Sequence, residues 1–281
     1  MADKHNTVYF IGAGPGDPKY LTIEGRDALS GSNLVYAIDP YVDTFAELLQ
    51  SKHVKDPFEM FFDEITADIA ESLSLGDVSF LVPGDMTVFS PFLPLVEHFG
   101  ENACVIAGVG TLNAAAALLK RTLDMPGISH SIVLTSPKHI EKRGYADELS
   151  RLAEAAGTMV LFMNNRHLDQ LAEELSEGFS PDTSVAIVSR IGMEGEKVYR
   201  ATLSTMADVV GTDDIFGLES GDPSLALVLV GNVLTAQSDP AFWDKRKEKF
   251  WDKKKKKEEG GKKNPGASSQ DSAARSQENF E

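Results

Sequence analysis

The chain has 281 residues, 42% of them apolar, which is enough for a sizeable core in one large domain or two modest ones. Its formal net charge of −16 is unevenly spread: residues 1–243 carry 15 Lys and Arg against 35 Asp and Glu, while residues 244–281 carry 12 against 8. A body this acidic repels nucleic-acid phosphates, no run approaches the roughly 20 apolar residues of a membrane span, and one cysteine, Cys104, cannot form an internal disulfide.

These features predict a cytoplasmic protein with no nucleic-acid partner, no membrane partner and no structural metal. In chain order, residues 7–11 (TVYFI) and 33–37 (NLVYA) are short apolar runs suited to buried parallel strands. Ile65, Ile69 and Leu73 then recur at helical spacing, and strands follow at 78–82 (VSFLV) and 103–107 (ACVIA). Residues 111–121 (TLNAAAALLKR) are rich in strong helix formers. Pro126 and Gly127 break both periodicities. Beyond them come a strand at 131–135, a helix at 146–156, a strand at 158–163, a helix carrying Leu168, Leu171, Ala172 and Leu175, and strands at 184–189 and 225–230.

The alternation predicts an α/β protein with mostly parallel sheet, in two α/β lobes with a ligand cleft between them. The expected divisions are an N-terminal lobe at 1–121, a linker at 122–130, a C-terminal lobe at 131–243 and a charged tail at 244–281. From Trp251 onward the tail lacks apolar periodicity, so 252–281 is expected to be disordered.

The first strand runs into a loop rich in glycine and proline, "VYFIGAGPGDPKYL" (8–21). Gly12-Ala13-Gly14, with Asp39 about 25 positions on, fits a dinucleotide loop. Asp17 stands where that motif needs its third glycine, and Pro15 and Pro18 remove two phosphate-binding N–H groups, so the fit is poor. A tight strand-to-helix turn is the plainer reading.

Read with "LVPGDMTVFS" (81–90), "AGVGTLNAAAALLKRTLDMPGISHSIVLT" (107–135), "LFMNNRHLDQLAEEL" (161–175), "TSVAIVSRIGMEGEKVYRATLSTM" (183–206) and "LALVLVGNVL" (225–234), this loop resembles the tetrapyrrole (corrin and porphyrin) methyltransferases over about residues 7–235. Segment 107–135 resembles most the members that methylate carbon 11 of precorrin-4 or its cobalt form. The resemblance implies S-adenosylmethionine as cofactor, direct methyl transfer, a corrin-precursor acceptor in cobalamin biosynthesis and a homodimer. A different tetrapyrrole, another small molecule or a peptide stays open as acceptor, as does a binding protein without turnover.

The resemblance also implies cofactor contacts from Pro15, Pro83, Gly84, Asp85, Val88, Gly110, Thr111, Met163, Ile191 and Ala226. Asp85 could equally cap a helix, Thr111 could cap its own, and Met163 could be core filler. No residue is assigned as catalytic, because the sulfonium leaving group is already activated. The second loop departs from the family's Gly-Asp-Pro…Tyr-Gly, reading Gly84-Asp85-Met86 and Phe89-Ser90; Ala107 and Gly110 replace a Pro and a Ser, and Ser136 stands where Arg is common. Arg166, Arg190, Lys197 and Arg200 are candidates to hold substrate carboxylates, with surface ion pairs as the competing role.

Overall fold

The computed structural model describes residues 6–143 and 148–261, with side chains left undescribed at 141–143 and 259–261. Contacts divide the chain into two units, Met1–Ala236 and Gln237–Glu281. No helix among the described residues is long and apolar enough to cross a membrane.

The first unit holds two five-stranded sheets. The first comprises β1 (Val8–Gly12), β2 (Leu34–Tyr36), β3 (His53–Lys55), β4 (Val78–Val82) and β5 (Ala103–Ile106), in the order β3-β2-β4-β1-β5. Every pairing is parallel, with Val8 level with both Val78 and Ala103. Both faces are covered, as a parallel sheet requires. On one, Phe10, Tyr36 and Phe80 stack at 4.8 and 4.5 Å between ring centres, and the Ile65–Ile69 stripe of helix Phe62–Leu73 packs with them. On the other, Ile11, Val35 and Leu81 pack with Leu29 of helix Ile23–Gly31, with Tyr41 and Phe45, and with Met193 from much later in the chain.

The second sheet comprises β6 (Ile132–Thr135), β7 (Thr158–Leu161), β8 (Ser184–Ser189), β9 (Lys197–Thr202) and β10 (Ala226–Val230), in the order β6-β7-β10-β8-β9. Only β6 and β7 are parallel; the other three pairings are antiparallel, which corrects the expectation of mostly parallel sheet for this half. For β8 and β9 the cause is their connection, residues 190–196, too short for a parallel crossover of a dozen or more residues. Along β10 the side chains alternate. Val228 and Val230 face Leu149, Leu171 and Leu175 of helices Glu148–Ala155 and Leu168–Leu175, while Leu227 and Leu229 face the opposite way.

That opposite face receives helix Thr111–Leu119, whose Ala114, Ala115 and Leu119 pack against Val160, Ala186, Val188, Leu227 and Leu229. The helix therefore belongs by packing to the second sheet, and the passage between sheets lies at 107–110 rather than 122–130. Nor is 122–130 a loose linker: Leu123 and Ser129 are buried, and Met125 and Ser129 pair as a short bridge.

In the second unit the chain is helical from Pro240 to Gly261, which corrects the expected disorder over 252–261; residues 262–281 lie outside the described residues. Apolar periodicity reports burial rather than helicity. Here Asp239 accepts the Ala241 N–H at 2.9 Å, Pro240 occupies the first turn, and Lys, Arg, Glu and Ala are strong helix formers.

Candidate active site

β1 and β4 lie side by side, but the chain leaving β1 passes β4 to reach β2, and the chain leaving β4 passes β1 to reach β5. Oppositely directed connections open a crevice beyond the carboxyl ends of two adjacent parallel strands, the usual ligand position in such sheets. The loops there are residues 13–17 and 83–90. They are tied together by their glycines: Gly14 N–H donates to Gly84 O at 3.0 Å and Gly84 N–H to Gly14 O at 2.8 Å. Both have left-handed φ, 77° and 68°, which glycine adopts without strain. Buried Tyr41 adds a hydrogen bond from its hydroxyl to Gly14 O at 2.7 Å, and burial holds that phenol well above its ordinary pKa, so it remains a donor. The strand ends approach so closely that a Cβ on Gly12 would stand 2.5 Å from Gly108 N.

Asp85, on the second of these loops, ties it to the 107–110 passage after β5. Its Oδ2 accepts the Gly108 N–H at 2.7 Å, and its Oδ1 accepts the Thr87 N–H at 2.9 Å and the Thr87 hydroxyl. Burial pushes its pKa up, but the hydrogen bonds from Thr87 and Gly108 outweigh that and hold the carboxyl below its ordinary value. It is an ionised brace.

The loops line a cavity of about 300 Å³, to which β7, β10 and the β8–β9 connection of the second sheet also contribute. All ten residues singled out in the sequence come together there. Pro15 lies on the first loop, and Pro83, Gly84, Asp85 and Val88 on the second. Gly110 and Thr111 start the helix, and Met163, Ile191 and Ala226 come from the second sheet's loops and strand. The first N–H groups of helix Thr111–Leu119 have no partner within the helix, and their positive dipole end suits a ligand carboxylate or hydroxyl.

Several lining residues had no signal in the sequence: Tyr41, Leu134, Phe162 and Ser224. The Ser224 hydroxyl is buried and has no hydrogen-bond partner in the structure. Phe89 and Met163 have left-handed φ of 55° and 48°, unusual for such side chains and costing about 1–3 kcal/mol each; such strain collects at ligand sites. The Phe89 ring lies 5.1 Å from Phe162 and 5.7 Å from His139, bridging the second loop to the second sheet.

The candidate cations are not brought in. Arg166 pairs with Glu174 at 3.0 Å and Lys197 with Asp213 at 2.7 Å; Arg190 donates to Glu194 O, Arg200 is exposed on β9, and none of the four lines the cavity. Among the described residues around the cavity, Asp85 alone is charged. Asp39 is likewise absent from the lining, and Asp17, where a dinucleotide loop needs glycine, accepts the Lys19 N–H and caps a short turn.

Residues 7–207 match the family model described as Tetrapyrrole (Corrin/Porphyrin) Methylases. The chain belongs to this family. It is a methyltransferase. The precorrin-4 C(11)-methyltransferase of Rhodococcus erythropolis is 35% identical over 241 residues, covering 83% of this chain and 94% of the relative. A solved cobalt-precorrin-4 methyltransferase, described as a cobalamin biosynthetic enzyme, is 25% identical with a TM-score of 0.70, covering 83% of this chain and 97% of that one. The fold is also shared by uroporphyrin-III C-methyltransferase from Thermus thermophilus complexed with S-adenosylhomocysteine, at 24% identity and TM-score 0.61, covering 82% and 99%. Against this background the altered second loop of this tetrapyrrole methylase keeps its brace: Asp85 holds Gly108 although Met86 follows it.

Proposed function

We propose that the cavity binds S-adenosylmethionine and that the enzyme transfers its methyl group to a carbon of a corrin precursor in cobalamin biosynthesis, with precorrin-4 or cobalt-precorrin-4 as acceptor. The acceptor rests on the names of the relatives. The observation that carries the cofactor is the convergence of the ten residues on one cavity. The partnerless Ser224 hydroxyl and the free helix N-terminus at Thr111 suit the hydroxyls and carboxylate of such a ligand, and Val88, Leu134, Phe162 and Leu227 suit its apolar faces.

When bound, the cofactor supplies a methyl group on a sulfonium whose leaving group is a neutral thioether. The chain then need not provide a nucleophile. Its task is to hold donor and acceptor in near-attack contact, about 3–3.5 Å apart, and a wall braced by Asp85 and the Gly14–Gly84 pair is built for positioning. We also propose a homodimer. Val105 on edge strand β5 and Ile132 on edge strand β6 leave apolar side chains about 40% exposed, which a second copy would cover.

Calorimetric titration tests the cofactor: S-adenosylhomocysteine is expected to bind and NAD is not. Transfer of a radiolabelled methyl group to a panel of tetrapyrroles then tests the acceptor. NAD binding without S-adenosylhomocysteine binding would overturn the proposal.

A further inference from the structure

Helix Pro240–Gly261 lies outside the stretch that matches the family, and cations outnumber acids along it. It carries nine Lys and Arg against five Asp and Glu. At about 3.6 residues per turn, Phe242, Lys245, Arg246, Lys249, Phe250 and Lys253 fall on one stripe. These six side chains line a hollow of about 520 Å³ containing two aromatic rings, four cations and no carboxylate. Asp244, Glu248 and Asp252, spaced four apart, form a separate stripe off the hollow. Trp243 and Trp251 lie off the hollow, 75% and 54% exposed, and Lys254 Nζ stands 5.3 Å from the Trp251 ring centre.

Exposed aromatic rings framed by cations, with no carboxylate in the lining, suit a flat apolar ring edged with negative groups. The rings offer stacking and the cations offer charge-assisted hydrogen bonds. Four cations spread from Lys245 to Lys253 cover about 12 Å of helix, matching a macrocycle with carboxylates around its rim rather than a single phosphate. The remainder of the chain contrasts with it: residues 1–243 carry a net −20, and the cavity wall holds no cation among the described residues.

We propose that this hollow is a second, electrostatic binding site for a polycarboxylated tetrapyrrole, collecting a polyanion that the acidic remainder of the chain repels. The ligand class rests on the function proposed above; the site does not depend on the cavity. The probe is uroporphyrin III, a polycarboxylated porphyrin, titrated onto the full chain and followed by its own fluorescence and by tryptophan quenching. The variants are Phe242→Ala with Phe250→Ala, and Lys245→Gln with Lys249→Gln, all exposed positions where substitution leaves folding intact.

Each pair is expected to weaken uroporphyrin binding by about tenfold or more, the scale of one to two lost stacking or charge-assisted contacts, while S-adenosylhomocysteine affinity stays unchanged. Raising the salt concentration should weaken binding to the unaltered chain and do so less for the lysine variant. Equal uroporphyrin affinity in all three proteins would overturn the proposal. So would binding to phosphatidylserine-containing vesicles without binding to uroporphyrin, which would make the helix a lipid-surface element. Loss of S-adenosylhomocysteine binding with the helix effect intact would count against the cofactor reading alone.

Discussion

At the scale of single residues, the carboxylate of Asp85 is already engaged before any ligand arrives, by Gly108 N–H on one oxygen and Thr87 on the other. Asp85→Ala should therefore loosen both loops at once, costing about 1–2 kcal/mol in urea unfolding after allowance for partial exposure, and weakening S-adenosylhomocysteine binding in parallel. The sign of the pH effect follows from the lowered pKa. Asp85 stabilises the fold fully above the unfolded value near 3.8 and loses that contribution as pH falls through the lower folded value. The stability gap between the native chain and Asp85→Ala should thus close on acidification below 3.8, and a gap that stays constant would show that the carboxylate's charge is irrelevant to the brace. The identity of the wall was legible through family resemblance, whereas this pairing was not, because Asp85 and Gly108 are 23 positions apart and the partner is a backbone N–H. Ser224 and Phe162 were equally silent, since a serine or phenylalanine beside a strand has no spacing that distinguishes a cavity wall from core.

At the scale of elements, the site depends on how closely β1 and β5 end. A methyl group on Gly108 would meet Gly12 backbone atoms at 2.6 Å, and backbone cannot rotate aside as a side chain can. Gly108→Ala should cost about 3 kcal/mol or more, the upper range for overpacking, and should show in the urea midpoint even without ligand. An unchanged midpoint would mean that the ends part freely. Here the sequence was informative about existence and poor about direction. Continuous apolar runs revealed the buried strands of the first sheet. β9 was missed because Lys197, Val198 and Arg200 are exposed, leaving only Tyr199 and Ala201 turned toward the core. With β9 unread, the short run 190–196, with Gly192 and Gly195, gave no hairpin and hence no antiparallel pair.

At the scale of the whole molecule, the cavity wall draws on both sheets, so a ligand there stabilises both together. S-adenosylhomocysteine at about 100 times its Kd should add about 2.7 kcal/mol and raise the melting temperature by roughly 5–10 °C in a single transition. Two separate transitions, one of them unmoved, would contradict a shared site. Domain limits were less legible than strands, because the alanine-rich run 111–119 says helix without saying which sheet it covers; only packing against Val160, Ala186 and Leu227 decides that. The same limit applies to the helix from Pro240, where propensity outweighed the lack of an apolar stripe. Met193 carries the point furthest. Its thioether, from the loop between β8 and β9, fills the first sheet's core beside Ile11, Val35 and Tyr41. A polypeptide severed between residues 122 and 130 would yield one fragment with an unplugged hole and another with a stranded plug. Neither half would keep a complete core alone.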